Sequence, residues 1–198
     1  MIIIGLTGSI AMGKSTAAAM LSRLGLPVFD ADRTVHILTG PRGAALPQLK
    51  ALFPGAVSDQ GLNRMAVGAD VFKHPEKKRQ LEAVLHPMVR AQQRAFLQRH
   101  RRYRTAKVVL DVPLLFETGG KRRCDTIFVV SAPAFLQRQR ALSRPGMTPE
   151  KLDNILASQM PDAEKRRRAD AVIPTGLGKA VTLRALKRAL RRRRGLRP

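Results

Sequence analysis

Short apolar runs alternate with longer stretches of helical character along this chain. Ile2-Ile3-Ile4-Gly5-Leu6 comes first, a run without polar alternation, as expected of a strand buried on both faces. Lys14 to Leu24 follows, rich in the helix formers Ala, Met and Leu, with Gly25 as its C-terminal cap. Pro27-Val28-Phe29-Asp30, Val108-Val109-Leu110-Asp111, Thr126 to Val130 and Ala171 to Pro174 read as four further short strands. From about Arg33 to Arg102 the pattern changes. Turns at Gly40-Pro41-Arg42-Gly43 and Phe53-Pro54-Gly55 separate helical stretches there, and a long helical pattern from Pro75 is expected to break or kink near His86-Pro87. Phe135 to Leu142, a segment starting at Thr148-Pro149-Glu150, and Gly178 to Arg194 supply the remaining helices. Strands alternating with helices predict βαβ units and an α/β fold with a parallel sheet.

The balance of 44% apolar and 26% charged residues over 198 positions excludes a wholly disordered chain. One cysteine, Cys124, permits no internal disulfide, and no Cys/His pair has zinc-ligand spacing. The first apolar run is too short for a signal-peptide core or a membrane span, so a cytoplasmic location is expected. Charge changes the picture more. Lys plus Arg number 37 against 14 Asp plus Glu, a net charge of +23. Such a field draws polyanions without saying which: nucleic acid, a membrane surface, or a phosphate-rich small ligand. Lys187, Arg188, Arg191 to Arg194 and Arg197 crowd the C-terminal end, where a solvated helix end is the plainer reading. With one Tyr and no Trp, a base-stacking platform is poorly supplied.

The candidate chemistry starts at Gly8-Ser9-Ile10-Ala11-Met12-Gly13-Lys14-Ser15, which fits the phosphate-binding loop G-x-x-x-x-G-K-[ST] between a strand and a helix. Its backbone N–H groups and the helix N-terminus present positive dipoles to phosphate oxygens. Lys14 is expected to reach the β- and γ-phosphates, Ser15 to ligate Mg²⁺, and Thr16 to lie beside the α-phosphate, with Gly13 closing the chain over the ligand. An ATP or GTP site is expected here. Asp111, ending an apolar strand, fits the metal-side carboxylate of such enzymes, acting directly or through water. Asp30 and Asp32 follow the second strand at i, i+2. A proton acceptor for an attacking hydroxyl and an N-cap supplied by Asp32 are equally compatible with that spacing. Arg138, Arg140, Arg144 and Lys165 to Arg168 fit a lid that neutralises a moving phosphoryl group, or a solvated basic face in the 165–168 run.

Several particular runs then accompany the phosphate loop: Asp30-Ala31-Asp32, Gly61-Leu62-Asn63-Arg64, Leu85-His86-Pro87, Asp111-Val112-Pro113-Leu114-Leu115-Phe116-Glu117, Gln139-Arg140, Gln159 and Ala169 to Ile173. In this order and over nearly the whole chain they resemble the dephospho-CoA kinase family. The resemblance implies a nucleoside-monophosphate-kinase-like fold: a five-stranded parallel sheet flanked by helices, with a helical acceptor-binding insertion and a lid. Residues about 1–32, 103–137 and 169–198 would form the core, about 33–102 the acceptor region and about 138–168 the lid. It further implies transfer of the ATP γ-phosphoryl group, with Mg²⁺, to the ribose 3′-hydroxyl of dephospho-CoA, the last step of coenzyme A synthesis. Asp32 matches the family's general base and Arg140 its lid arginine, while Arg64 and His86 match acceptor contacts. Gly8, Ala11, Met12, Gly13, Lys14, Ser15 and Thr16 would bind ATP, and Ser15 and Asp111 (through water) the metal. Expected partners are ATP and dephospho-CoA, with no membrane and only incidental polyanion binding by the basic tail, in a monomer or weak oligomer. Here Ser9, Ala11 and Met12 replace the glycines and serines common in family loops. Asn63 replaces the Asp common before the arginine, and Pro174-Thr175 stands where an Asn is frequent. The residues alone leave open guanine in place of adenine, another small-molecule acceptor, and a nucleic-acid-binding P-loop protein, which the charge motivates.

Overall fold

The computed structural model describes residues 1–191, the side chains of 72 and 73 apart. The expected end of the closing helix at Arg194 and the basic residues Arg192, Arg193, Arg194 and Arg197 lie outside the described residues. By contacts the chain divides into two compact units, Met1–Phe29 with Arg104–Pro198, and Asp30–Tyr103.

The first unit is built on a five-stranded sheet whose spatial order is β2-β5-β1-β6-β7. Its strands are β1 (Ile2–Thr7), β2 (Val28–Asp30), β5 (Lys107–Asp111), β6 (Thr126–Ser131) and β7 (Ala171–Pro174). β1 pairs in parallel with β5 on one edge and β6 on the other, and β6 pairs in parallel with β7. Ile4, Leu6, Val108, Val109, Leu110, Val129 and Val130 are all essentially inaccessible, which explains why these strands read as unbroken apolar runs. Helix α1 (Lys14–Arg23) buries Ala17 and Leu21 against this core, and α9 (Lys179–Arg191) buries Leu186 there. Gly25, at φ 82°, sits just past the end of α1, where Leu26 N–H donates to Leu21 C=O in the closing turn. The unit also holds the α-helices α6 (Ala134–Leu142), α7 (Pro149–Ala157), which Thr148 caps through its hydroxyl, and α8 (Asp162–Arg167).

The second unit holds α2 (Ala31–Thr39), α3 (Leu46–Leu52), a two-stranded antiparallel ribbon of β3 (Val57–Ser58) and β4 (Gly61–Leu62), α4 (Arg64–Lys73) and α5 (Pro75–Arg102). Leu38, Ala45, Leu49 and Leu85 form its core, with Leu81, Val84, Met88 and Val89 packed around them. Of the break or kink expected near His86-Pro87, the break does not occur: α5 runs 28 residues with Pro87 inside it. An interior proline costs a helix about 3 kcal/mol. Leu81, Val84 and Leu85 before it and Met88 and Val89 after it share one apolar cluster, so burial on both sides keeps the helix in one piece.

A solvated basic face at 165–168 is also overturned in part. Arg166, Arg167 and Arg168 are exposed, but Lys165 is completely buried, its Nζ 3.0 Å from Glu117 Oε1. The same Glu117 oxygen accepts a hydrogen bond of 2.9 Å from Met160 N–H. Burial alone would raise the Glu117 carboxyl, but the Met160 N–H and the Lys165 ammonium outweigh it and hold the group below its ordinary value of 4.5. Cys124 is the opposite case, a thiol that burial pushes up to about 11.

Three outcomes follow from these groups. Glu117→Gln leaves the Lys165 ammonium without a countercharge and should cost about 3–5 kcal/mol in urea unfolding. In the wild-type chain the folded carboxylate loses its proton more readily than the unfolded one. Its stabilisation is therefore complete above pH 4.5 and disappears as pH falls through the folded value, which an acid titration of the unfolding midpoint will register. Cys124 should react with an aromatic disulfide reagent at pH 8 at least about 10-fold more slowly in native protein than in denaturant, equal rates being the contrary result.

Candidate active site

Strand register builds the site. β1 and β5 run in parallel with Leu6 opposite Asp111, so both strands end on the same side of the sheet, one in the phosphate loop and the other in a carboxylate. Val112 N–H donates to Leu6 C=O at 3.0 Å and the Thr7 hydroxyl donates to Pro113 C=O at 2.8 Å, carrying the pairing past the strand ends. The loop then turns into α1, whose first residue, Lys14, brings its Nζ 2.6 Å from Asp111 Oδ1. Both groups are largely buried, Lys14 at 14% and Asp111 at 3% exposure, so this charge pair is strong. Ser15 and Thr16 stand exposed on the first turn of α1, which has neither a side-chain cap nor an acidic residue there, leaving an electropositive helix start.

Two glycines are required by the loop. A Cβ on Gly8 would lie 2.4 Å from Val130 Cγ2 and 2.8 Å from the Val130 carbonyl oxygen. Gly13 has φ 84°, the left-handed region, where it forms the N-terminal cap position of α1. Ala11 shares that conformation at φ 59°, unusual for a residue with a Cβ, and is buried against Ala141 of α6 and Leu152 of α7. Met12 is buried too, and its Sδ accepts from Ala132 N–H at 3.1 Å.

Thr175 emerges as part of the loop's support. Its hydroxyl donates to Met12 C=O at 2.7 Å, and its carbonyl accepts from Arg140 Nη2 at 2.9 Å. In the sequence it stands out only as a departure from a frequent Asn. The residue pattern carries no signal for this contact, because Thr175 and Met12 lie 163 residues apart. Gln137 carries no such mark in the sequence. It is buried in α6 and donates to Ile10 C=O at 2.9 Å, while Gln159 Oε1 accepts from Ile10 N–H at 3.1 Å.

Gly8, Ala11, Met12, Gly13, Lys14, Ser15, Thr16, Asp111 and Arg140 thus come together in the first unit. Asp32, Arg64 and His86 belong to the second. There the cap of α2 is Asp30, whose Oδ1 accepts from Arg33 N–H at 2.9 Å, and Asp32 is exposed in the first helical turn. Capping by Asp32 is thereby corrected: β2 runs straight into α2, so the last extended residue is the one positioned to cap. Asn63 caps α4 by accepting from Ala66 N–H at 3.1 Å, which an uncharged amide does as well as a carboxylate. Arg64 Nη2 donates to Thr39 Oγ1 at 3.1 Å and to His36 C=O at 3.3 Å, and His86 is exposed on α5. Among the described residues no group of three or more His, Cys, Asp or Glu side chains is arranged to hold a metal. The Ser15 hydroxyl and the Asp111 carboxylate would be a sparse, oxygen-only donor set, of the kind that suits Mg²⁺ bound mainly through water and phosphate.

The model of the dephospho-CoA kinase family matches residues 2–177 of this chain. Among curated relatives, the dephospho-CoA kinase of Paramagnetospirillum magneticum is 61% identical over 196 residues, covering 99% of this chain and 92% of its own. That of Rhodospirillum rubrum is 57% identical over 186 residues, covering 93% and 88%. The solved dephospho-CoA kinase of Campylobacter jejuni superposes with a TM-score of 0.70 at 26% identity, over 95% of this chain and 94% of that one. With the expected five-stranded parallel sheet, a phosphate loop braced by Asp111 and a family match across most of its length, this chain belongs to the dephospho-CoA kinase family.

Proposed function

We propose that the chain transfers the γ-phosphoryl group of ATP to the ribose 3′-hydroxyl of dephospho-CoA, giving ADP and coenzyme A, the last step of coenzyme A synthesis. The observation that carries the reading is the buried Lys14–Asp111 pair at the end of two parallel strands, in a chain of this family. Lys14 takes the β- and γ-phosphate charge as ATP arrives, while the loop amides from Ala11 to Thr16 and the start of α1 hold the phosphate oxygens. Ser15, and Asp111 through water, would hold Mg²⁺, which when bound neutralises charge on the phosphate oxygens.

In the transfer, the acceptor oxygen bonds to the γ-phosphorus as the bond to the ADP oxygen breaks, and the hydroxyl proton passes to a carboxylate. Asp32 is the residue for that step. Asp30 is committed to capping α2 and Asp111 to Lys14, whereas the Asp32 carboxylate is exposed. Arg140 neutralises the phosphoryl group in flight, from a lid of about residues 138–168. Arg64 and His86 contact the acceptor from a region of about residues 33–102, and the remaining segments form the core. The net charge of +23 favours both anionic substrates. No described helix is long and apolar enough to cross a membrane.

The decisive assay is ADP release with ATP and Mg²⁺, comparing dephospho-CoA with nucleosides, nucleotides and sugar acids, and product mass as the check. Turnover confined to dephospho-CoA with one added phosphoryl group is expected, and turnover on a different acceptor instead would discard the substrate assignment. Lys14→Ala and Asp32→Asn should each lower kcat by about 10²–10⁴-fold with circular dichroism unchanged. Near-wild-type turnover of Asp32→Asn would remove Asp32 from the proton transfer.

A further inference from the structure

The Ile10 peptide groups of the phosphate loop are held by side chains on both sides. Ile10 N–H donates to Gln159 Oε1 at 3.1 Å, and Ile10 C=O accepts from Gln137 Nε2 at 2.9 Å. The polarity of these bonds is fixed by the backbone, since an N–H can only donate and a C=O only accept, so each amide has one possible orientation. Consecutive peptide planes are set as a result. In a trans peptide the C=O and the following N–H point opposite ways, so drawing Ile10 C=O towards Gln137 turns Ala11 N–H in the opposite direction. Gln159 sets the Ser9–Ile10 plane in the same manner, and Ser9 C=O then accepts from Met12 N–H at 3.2 Å. The residue that follows is Ala11, held at φ 59° and covered by Ala141 and Leu152.

We infer that Gln137 and Gln159 are positioning residues for the donor nucleotide: they fix the peptide planes of the phosphate loop so that its amides are oriented before ATP binds. The inference rests on the reading of this loop as the ATP site. It assigns a specific task to two uncharged side chains from outside the loop, one on α6 and one just after α7. Any shift of these helices is thereby transmitted to the loop amides, tying donor affinity to the segment that carries Arg140. A loop held in this way loses less conformational freedom when the nucleotide arrives.

The two bonds have opposite polarity, which supplies the test. Gln159→Glu keeps an acceptor for Ile10 N–H, whereas Gln137→Glu sets a carboxylate against Ile10 C=O, and both add the same charge at neighbouring places. Calorimetric titration of the full chain with ADP should find Gln137→Glu weaker than Gln159→Glu by about 10-fold or more. In the kinase assay the loss should fall on the KM for ATP and spare the KM for dephospho-CoA. Hydrogen exchange at the Ile10 amide, read by NMR, should stay slow in Gln159→Glu and quicken in Gln159→Met. Equal ADP affinities for the two Glu variants, with exchange at Ile10 unchanged in Gln159→Met, would overturn the inference. Should Gln137→Glu fail to fold, the Gln159 pair decides alone: Met weakening ADP and exposing the amide supports it, and Met behaving as Glu refutes it. Failure of the wild-type chain to bind ADP would instead bring down the ATP-site reading, and this inference with it.

Discussion

The pairing of β1 on both of its edges is the constraint on which the first unit depends. A strand flanked in parallel by β5 and β6 has every inward side chain buried, and its end is fixed in space by two neighbours. The chain leaving it has few options. It must clear the Val130 side chain and carbonyl at Gly8, and it must reach the start of α1, which packs back on the same sheet through Ala17 and Leu21. A tight, electropositive loop is the result. The neighbour's register delivers Asp111 to the same edge, so an anion-binding loop and its balancing carboxylate are consequences of one hydrogen-bonding pattern.

Charge balance within that loop decides what it can accept. In the structure the Lys14 ammonium is compensated by Asp111, so the pair costs less to bury than a lone cation would. On the proposed reading of the loop, a polyphosphate would compete for the ammonium, and Asp111, a hard oxygen donor, would suit Mg²⁺ held through water.

How much of this could be read in advance varied with sequence distance. The phosphate loop, the five strands and Asp111 at a strand end are local patterns, and each was legible because strand burial and glycine-bounded turns leave marks within a few residues. Pro87 does not break α5 because the rule for proline is local, whereas the helix is held by apolar contacts on either side of it. The cap of α2 fell to Asp30 because no linker separates strand from helix, a boundary too fine for residue patterns to resolve. Gln137 left no mark at all. Its partner lies 127 residues away, and a single glutamine within a basic helix gives no sign of being buried. Thr175 was hidden likewise by a separation of 163 residues from Met12.

Lys165 has a consequence for how the chain tolerates substitution. Arginine outnumbers lysine here 26 to 11, so a guanidinium is the usual cation of this protein. Yet ammonium groups stand at 14 and 165, where the charge is enclosed and its carboxylate partner lies within 3.0 Å. An ammonium is compact and meets a single oxygen, whereas a guanidinium is a broad planar fork that needs room for several hydrogen bonds. Arg166 and Arg167, facing solvent, can exchange with lysine at little cost, but the reverse exchange at 165 would force a wider group into a closed space. A sequence drifting freely between its two cations would thus keep these positions fixed for reasons of shape, in a segment that otherwise looks like undifferentiated positive charge.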